Sequence, residues 1–405
     1  MSHDEANKSV SRREFIKIGG AGAIALTLGS AVMPVEWLGG GEAHAAPNDN
    51  TKLQFNQEGK FKIVQFNDTQ DDENIDRRTV ELMEKVLDSE KPDLVVLNGD
   101  NITGGCDTAE EMKQAMNNVV QPMEQRGIQW AVTFGNHDED STPKGGLNEE
   151  EMLKFYMAYK HNVNEPGERG ITGTGNSNLL IRSSKGSKPA FNVWLLDSGR
   201  YAPETIANQN FEGYPTWDWI RLDQVKWYYE TSKKLEEKNG RKVPSLMFIH
   251  IPLWEHRFMW YASVDGRSEA DHARAVAKHQ IVGERNEDEC PGPINSGMFS
   301  AILARGDVKG VFCGHDHVNT YHGNYYGVLL GYAGSAGFGT YGLPGADRNR
   351  LRGARVFQLD ENTDNVLVDT HMVFAKDFGI DLTANDQSTA PEPIPANKKQ
   401  EKIVK

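Results

Sequence analysis

Leu94-Val95-Val96-Leu97-Asn98-Gly99-Asp100 is a short apolar run that stops on a glycine and a carboxylate. Four consecutive apolar residues with no polar alternation read as a strand buried on both faces. Upstream, Val80, Met83 and Leu87 fall at helical spacing over residues 76–89. Before that helix, Phe61-Lys62-Ile63-Val64-Gln65-Phe66 reads as another strand and ends at Asn67-Asp68. Downstream, Asp107-Thr108-Ala109-Glu110 has the form of a capping box opening a helix that runs to about Arg126, with a bend expected at Pro122. Trp130-Ala131-Val132-Thr133-Phe134 then ends at Gly135-Asn136-His137-Asp138. Strand–helix–strand–helix–strand implies a parallel sheet with covered faces, in which ligands gather beyond the strand carboxyl ends. Three polar clusters far apart in sequence are therefore expected at one rim.

The pattern returns further on. Residues 192–196 form a strand ending at Asp197-Ser198, and residues 218–238 a helix. Ser245–Ile249 leads into His250-Ile251-Pro252, and Gly310–Cys313 into Gly314-His315-Asp316-His317. Residues 325–336 and 353–374 alternate enough to be further strands, expected to be antiparallel. Residues 46–60 read as an irregular lead-in. Residues 255–297 carry helical stretches without a clear strand, and suit either a lid over the rim or a solvated excursion.

The first 45 residues read as an address. Ser11-Arg12-Arg13-Glu14-Phe15-Ile16-Lys17 precedes a Gly/Ala-rich apolar run, then Ala43-His44-Ala45. Adjacent arginines, a mildly hydrophobic segment and an A-x-A site resemble a twin-arginine signal peptide. This implies passage through the twin-arginine translocase to a periplasmic, extracellular or cell-wall location, with no stable membrane anchor. The expected organisation is leader 1–45, one folded domain 46–379, and a polar, mobile tail 380–405.

A formal net charge of -14 argues against nucleic-acid binding, which favours a basic stripe. An anionic substrate would need local relief from that charge, and carboxylates gathered on cations provide it. Three cysteines, Cys106, Cys290 and Cys313, are too few for a disulfide scaffold and match no zinc spacing.

Each polar cluster alone is a weak signal; their order is not. Asp68, Gly99-Asp100, Gly135-Asn136-His137-Asp138, His250 and Gly314-His315-Asp316-His317 each follow an apolar strand. The series resembles the calcineurin-like metallophosphoesterase superfamily, whose pattern is Asp-x-His, Gly-Asp, Gly-Asn-His-Asp/Glu, His and Gly-His-x-His. The likeness covers roughly residues 60–375. Gly99–Ile102, Phe248–Pro252, Gly314–Asn319 and Tyr332-Ala333-Gly334 resemble a purple-acid-phosphatase-like branch, as do Gly173–Asn176 and Leu196–Gly199.

The resemblance implies an α/β fold, a four-layer α-β-β-α sandwich of two mixed sheets. It also implies a phosphatase or phosphodiesterase in which hydroxide held at two metals attacks phosphorus. Asp100 would bridge the metals; Asp68, Gln70 and His317 would complete the first site; Asn136, His250 and His315 would complete the second. Carboxylate, amide oxygen and imidazole suit Mn, Fe or Zn. His137 would donate a hydrogen bond or proton at the phosphoryl or leaving oxygen, with Asp138 orienting it.

Two departures stand out. Gln70 occupies the histidine position of Asp-x-His, offering a harder amide oxygen; Asp71 and Asp72 follow it as weaker ligand candidates. Thr103 occupies the position of the tyrosine that colours purple acid phosphatases, so no purple charge-transfer band is expected. The alternative to a hydrolase is a metal- or phosphate-binding member of the fold weakened in catalysis by Gln70. A dinucleotide-binding oxidoreductase is disfavoured because no Gly-x-Gly-x-x-Gly follows the first strand. His256, His272, His279 and His322 read as surface or supporting residues. Trp254, Phe258, Trp260 and Tyr261 suit a pocket wall or the core equally.

Overall fold

A computed structural model of the chain describes residues 53–213, 216–262 and 265–387. The leader reading for residues 1–45 and the tail beyond 387 lie outside the described residues.

The strands are β1 (Lys60–Phe66), β2 (Leu94–Asn98), β3 (Gln129–Thr133), β4 (Ser177–Arg182), β5 (Pro189–Leu195), β6 (Thr205–Ile206), β7 (Gln209–Asn210), β8 (Ser245–Phe248), β9 (Val308–Cys313), β10 (His322–Tyr325), β11 (Val328–Tyr332), β12 (Gly353–Asp360) and β13 (Leu367–Phe374). The helices are α1 (Arg77–Glu90), α2 (Ala109–Arg126), α3 (Thr142–Gly145), α4 (Glu149–Met157), α5 (Leu222–Asn239), α6 (Trp254–Tyr261), α7 (Glu269–His279) and α8 (Met298–Arg305). One sheet has the order β13-β12-β1-β2-β3, the other β10-β11-β9-β8-β5-β4. Both are mixed. β1, β2 and β3 are parallel, as are β5, β8, β9 and β11, while β12, β13, β4 and β10 pair antiparallel at the edges.

Alternation along each strand builds the layers. Phe61 and Ile63 of β1 join Phe191, Val193, Leu246, Phe248 and Phe312 between the two sheets. Val64 and Phe66 face the other way, against Leu82 and Met83 of α1 and Met116 and Val120 of α2. On the far side, Trp194, Met247 and Val311 meet Tyr228 of α5, Met259 of α6 and Ile302 of α8. The result is a four-layer α-β-β-α sandwich. Every central strand is covered twice, which is why these strands are continuously apolar.

Register explains the rim. Phe66 pairs with Leu97, and Leu97 with Val132. Leu195 pairs with Phe248, and Phe248 with Phe312. The segments after β1, β2, β3, β5, β8 and β9 therefore leave their sheets at common levels. The rims are tied together across the sheets: Asn98 Nδ2 donates to Ile249 O at 2.8 Å, and His315 N donates to Asp68 Oδ1 at 3.2 Å.

Several local expectations change. The capping box falls one residue later, with Thr108 and Glu111 exchanging backbone and side-chain hydrogen bonds. The lead-in is irregular where it is described but tied down: Leu53 and Phe55 are buried, and Gln54 forms an isolated bridge with Arg182 of β4, a strand the sequence reading missed. Residues 255–297 are neither lid nor solvated excursion throughout, because Met259, Ala275 and Ile281 belong to the core of the second sheet. Residues 380–387, read as part of a mobile tail, are fixed at the start of α1. Arg78 donates there to Thr383 O at 2.9 Å and Asn385 O at 2.7 Å. The three cysteines are free thiols. Among the described residues no helix is long and apolar enough to cross a membrane.

Candidate metal centre

The loops after β1, β2, β8 and β9 converge on one buried point. Among the described residues, two sets of side chains could hold a cation: Asp68, Asp100 and His317, and Asp100, His250 and His315. Asp100 belongs to both sets, the position expected of a bridging carboxylate. Asp68, Asp100, Asn136 and His250 are fully buried, and His315 and His317 nearly so.

Backbone conformation aims these groups. Asp68, Gln70, Asp100 and His315 have φ of 51°, 36°, 50° and 71°, a left-handed region that side chains other than glycine rarely adopt. Such strain concentrates at functional sites and persists where surrounding packing enforces it. The glycines beside them serve a second need, close approach. A Cβ at Gly135 would lie 2.3 Å from Asp100 Oδ1 and 2.7 Å from His250 Cδ2. One at Gly314 would lie 2.9 Å from Asp68 Oδ2.

Five lone-pair atoms at this point are buried with no hydrogen-bond partner outside the cluster: Asp68 Oδ2, Asp100 Oδ2, Asn136 Oδ1, His250 Nε2 and His315 Nε2. Each such atom costs roughly 1–3 kcal/mol when left unpaired. Five together fit a group of positive charge. His250 Nε2 stands 3.0 Å from Asp100 Oδ2, and His317 Nε2 stands 3.4 Å from Asp68 Oδ1. His250 Nδ1 faces Asn98 O at 3.0 Å, the arrangement that leaves Nε2 as the donor atom for a metal.

Electrostatics agrees. Burial disfavours a charged His250, but Asp100 and Asp68 outweigh it and raise its pKa to about 10. Burial and then the charge on His250 push His315 well below the ordinary histidine range. Burial would raise Asp100, yet His250 beside it holds it below the usual carboxylate range. The carboxylates thus favour a cation next to the imidazoles.

Gln70 differs from the other expected ligands. Its Oε1 accepts from Thr340 Oγ1 at 2.7 Å, and Thr340 stands 3.3 Å from His317 Nδ1. It therefore joins the edge of the first site through Thr340. Asp71 turns away: its carboxylate accepts from Asp76 N at 2.7 Å and Asp72 N at 3.0 Å. Asp72 accepts from Asn74 N at 2.8 Å.

His137 lies beside the centre without belonging to either set, and its backbone N–H donates to Asp100 Oδ1 at 2.7 Å. The expected partner Asp138 is not at its ring. Asp138 is fully buried and accepts from the N–H groups of Gly135, Asp100, Asn101 and Ile102 at 2.7 to 3.2 Å. It staples the β2 and β3 loops together. The carboxylate at His137 Nδ1 belongs to Asp140, at 2.5 Å. Burial lowers the pKa of His137, but Asp140 and Asp100 outweigh it and raise it overall. An acidic residue three positions beyond Gly-Asn-His was the available signal.

The sequence reading also missed Arg200, Tyr201 and Trp217, from the loop between β5 and α5. Arg200 contacts Asp140. The Tyr201 ring lies 6.5 Å from His137, and Trp217 lies edge-on to His315 at 4.5 Å. Nothing in their spacing marks them. Asp197 and Ser198 are supports: Asp197 accepts from Thr174 N and Ser198 from Ile251 N. His256 and His279 are buried away from both sets, and His272 stacks on Trp260. His322 stands beside Arg355.

A two-sheet sandwich with a carboxylate shared between two side-chain sets that could hold cations is consistent with a metallophosphoesterase fold. The pattern of the Calcineurin-like phosphoesterase family matches residues 61–319, and the chain belongs to that family. It is 35% identical over 327 residues to "Probable inactive purple acid phosphatase 14" of Arabidopsis thaliana, covering 73% of this chain and 75% of that one. It is 33% identical to "Probable inactive purple acid phosphatase 29" of the same plant, covering 77% and 79%. With "Phosphatase DCR2" of Saccharomyces cerevisiae it shares 30% identity over 78% of this chain and 54% of that one.

Proposed function

We propose that the chain is a two-metal phosphoester hydrolase that acts after export. Asp68, Asp100 and His317 would hold the first cation, with Gln70 at its edge. Asp100, Asn136, His250 and His315 would hold the second. When bound, Mn, Fe or Zn ions supply charge neutralisation at the phosphoryl oxygens and lower the pKa of water.

The observation that carries this reading is His137. It sits against the shared carboxylate, outside both ligand sets, with a carboxylate of its own at Nδ1. A protein that only bound metal would have no use for such a group. Held by Asp140, His137 keeps a proton on Nδ1 and presents Nε2 to the ester, where it can protonate the leaving oxygen. Asp138 supports the loops that carry Asp100 and His137. The Arg12-Arg13 leader supports export, and a signal-dependent shift of the chain out of the cytoplasm tests it.

A second reading, a metal- or phosphate-binding member with weakened catalysis, has two observations behind it. Gln70 replaces a histidine of the family pattern, and the plant relatives bear the word inactive in their names. Assays of p-nitrophenyl phosphate and its bis-ester with Mn separate the two. The hydrolase reading expects turnover that falls about 100-fold or more in His137→Ala and is abolished in Asp100→Asn. Metal uptake without turnover of either ester would establish the binder.

A further inference from the structure

We infer that Arg200 is a positioning residue that holds His137 in place for proton donation, acting through Asp140. The inference rests on the hydrolase reading above.

Arg200 follows β5 of one sheet, whereas His137 follows β3 of the other. Its single guanidinium reaches three points of the His137 loop. Nε donates to Asn136 O at 3.0 Å, one terminal nitrogen to Glu139 Oε2 at 3.1 Å, and the other to Asp140 Oδ1 at 2.7 Å. Asp140 spends its second oxygen on His137 Nδ1. A planar fork that engages acceptors in fixed directions sets orientation as well as charge, and lysine cannot reproduce it. Without Arg200, the Asp140 carboxylate keeps, besides His137 itself, only weak contacts with the Tyr201 hydroxyl at 3.4 and 3.5 Å, and the His137 ring loses its stop. Because Arg200 is committed to Glu139 and Asp140, its charge is already paired within the loop.

The step it serves is protonation of the departing oxygen. A water oxygen forms the new bond to phosphorus and releases a proton to solvent. The bond from phosphorus to the leaving oxygen breaks, and its electron pair stays on that oxygen. The oxygen takes the proton from His137 Nε2. His137 is left neutral, with its Nδ1–H still on Asp140, and regains a proton from solvent.

Leaving-group dependence tests the role, since a good leaving group has little need of an acid. Arg200→Met and Asp140→Asn are assayed with Mn on ethyl phosphate and on p-nitrophenyl phosphate. Expected is a loss of kcat of about 100-fold on the alkyl ester and a much smaller loss on the aryl ester, with bound Mn unchanged. Arg200→Lys recovers part of the alkyl-ester activity, and carries the comparison if Arg200→Met does not fold. The double variant is no slower than Asp140→Asn alone, because both lie on one chain of contacts. In the zinc-loaded protein, a downfield imidazole N–H proton is present in the wild type and missing from Asp140→Asn and Arg200→Met. Equal losses on both esters, or an unchanged downfield proton in Arg200→Met, would overturn the inference and leave the hydrolase reading intact. Absence of wild-type turnover on every ester would overturn both.

Discussion

Gly99, Gly135 and Gly314 stand where the loops come closest to the centre, and their missing side chains are as necessary as the ligands. Gly135 has ordinary negative φ, so its requirement is space alone. Gly135→Ala should leave the fold intact, displace Asp100 or His250, and lower phosphoesterase activity about 100-fold, as misplacements near 1 Å do; kinetics beside an unchanged circular dichroism spectrum would check it. Gln70→His should tighten the weaker Mn site about tenfold or more, since an imidazole replaces an amide oxygen occupied by Thr340. Calorimetric titration reads this directly, and an unchanged affinity would place residue 70 outside that site. The expected ligands were legible because each follows an apolar strand within a short polar cluster. Asp140 and Arg200 were not, because their partnership joins two sheets and leaves no spacing in the chain. Asp138 misled because adjacency in sequence does not give direction: the turn after His137 points the Asp138 carboxylate back at the β2 loop.

At the scale of elements, α1 depends on a residue that local propensity does not reveal. Arg78 is buried, paired with Asp76 at 2.7 Å, and bonded to the carbonyls of Thr383 and Asn385. Arg78→Met leaves Asp76 uncompensated and should cost about 3 kcal/mol in chemical denaturation, with faster proteolysis of residues 380–387. The same interaction explains the misreading of that segment: its composition is polar, but its backbone carbonyls satisfy a buried guanidinium. On the far side, His256 of α6 is fully buried with its ring 5.4 Å from Tyr332. Burial lowers its pKa from 6.5 to about 4. The unfolded chain therefore takes up a proton before the folded one does. The contribution of His256 is complete above pH 6.5 and is lost as pH falls towards 4. Its full size is about 3 kcal/mol. His256→Phe should flatten that part of the stability profile; an unchanged slope between pH 6.5 and 4 would assign it to other groups. In this layer the central strands and α5 were legible from periodicity and residues 255–297 gave only helical stretches, whereas α8 and β4 were missed, both being short; the apolar residues of β4, Leu179-Leu180-Ile181, form one brief run without alternation.

Over the whole molecule, two sheets of different strand order meet so that three loops of one and two of the other close on Asp100. The layered architecture followed from the alternation of apolar strands and helices together with the family resemblance. The meeting of the rims follows from register and cross-sheet hydrogen bonds such as Asn98 to Ile249, which no single element encodes. For a chain of net charge -14, the proposed action on anionic esters needs concentrated positive charge where the reaction occurs, and the two side-chain sets that share Asp100 could gather it. Anomalous diffraction from crystals grown with Mn tests this claim most directly. Two peaks should appear, both coordinated by Asp100, one also by Asp68 and His317 and the other by His250 and His315. A single peak, or peaks that do not share Asp100, would contradict the two-metal account.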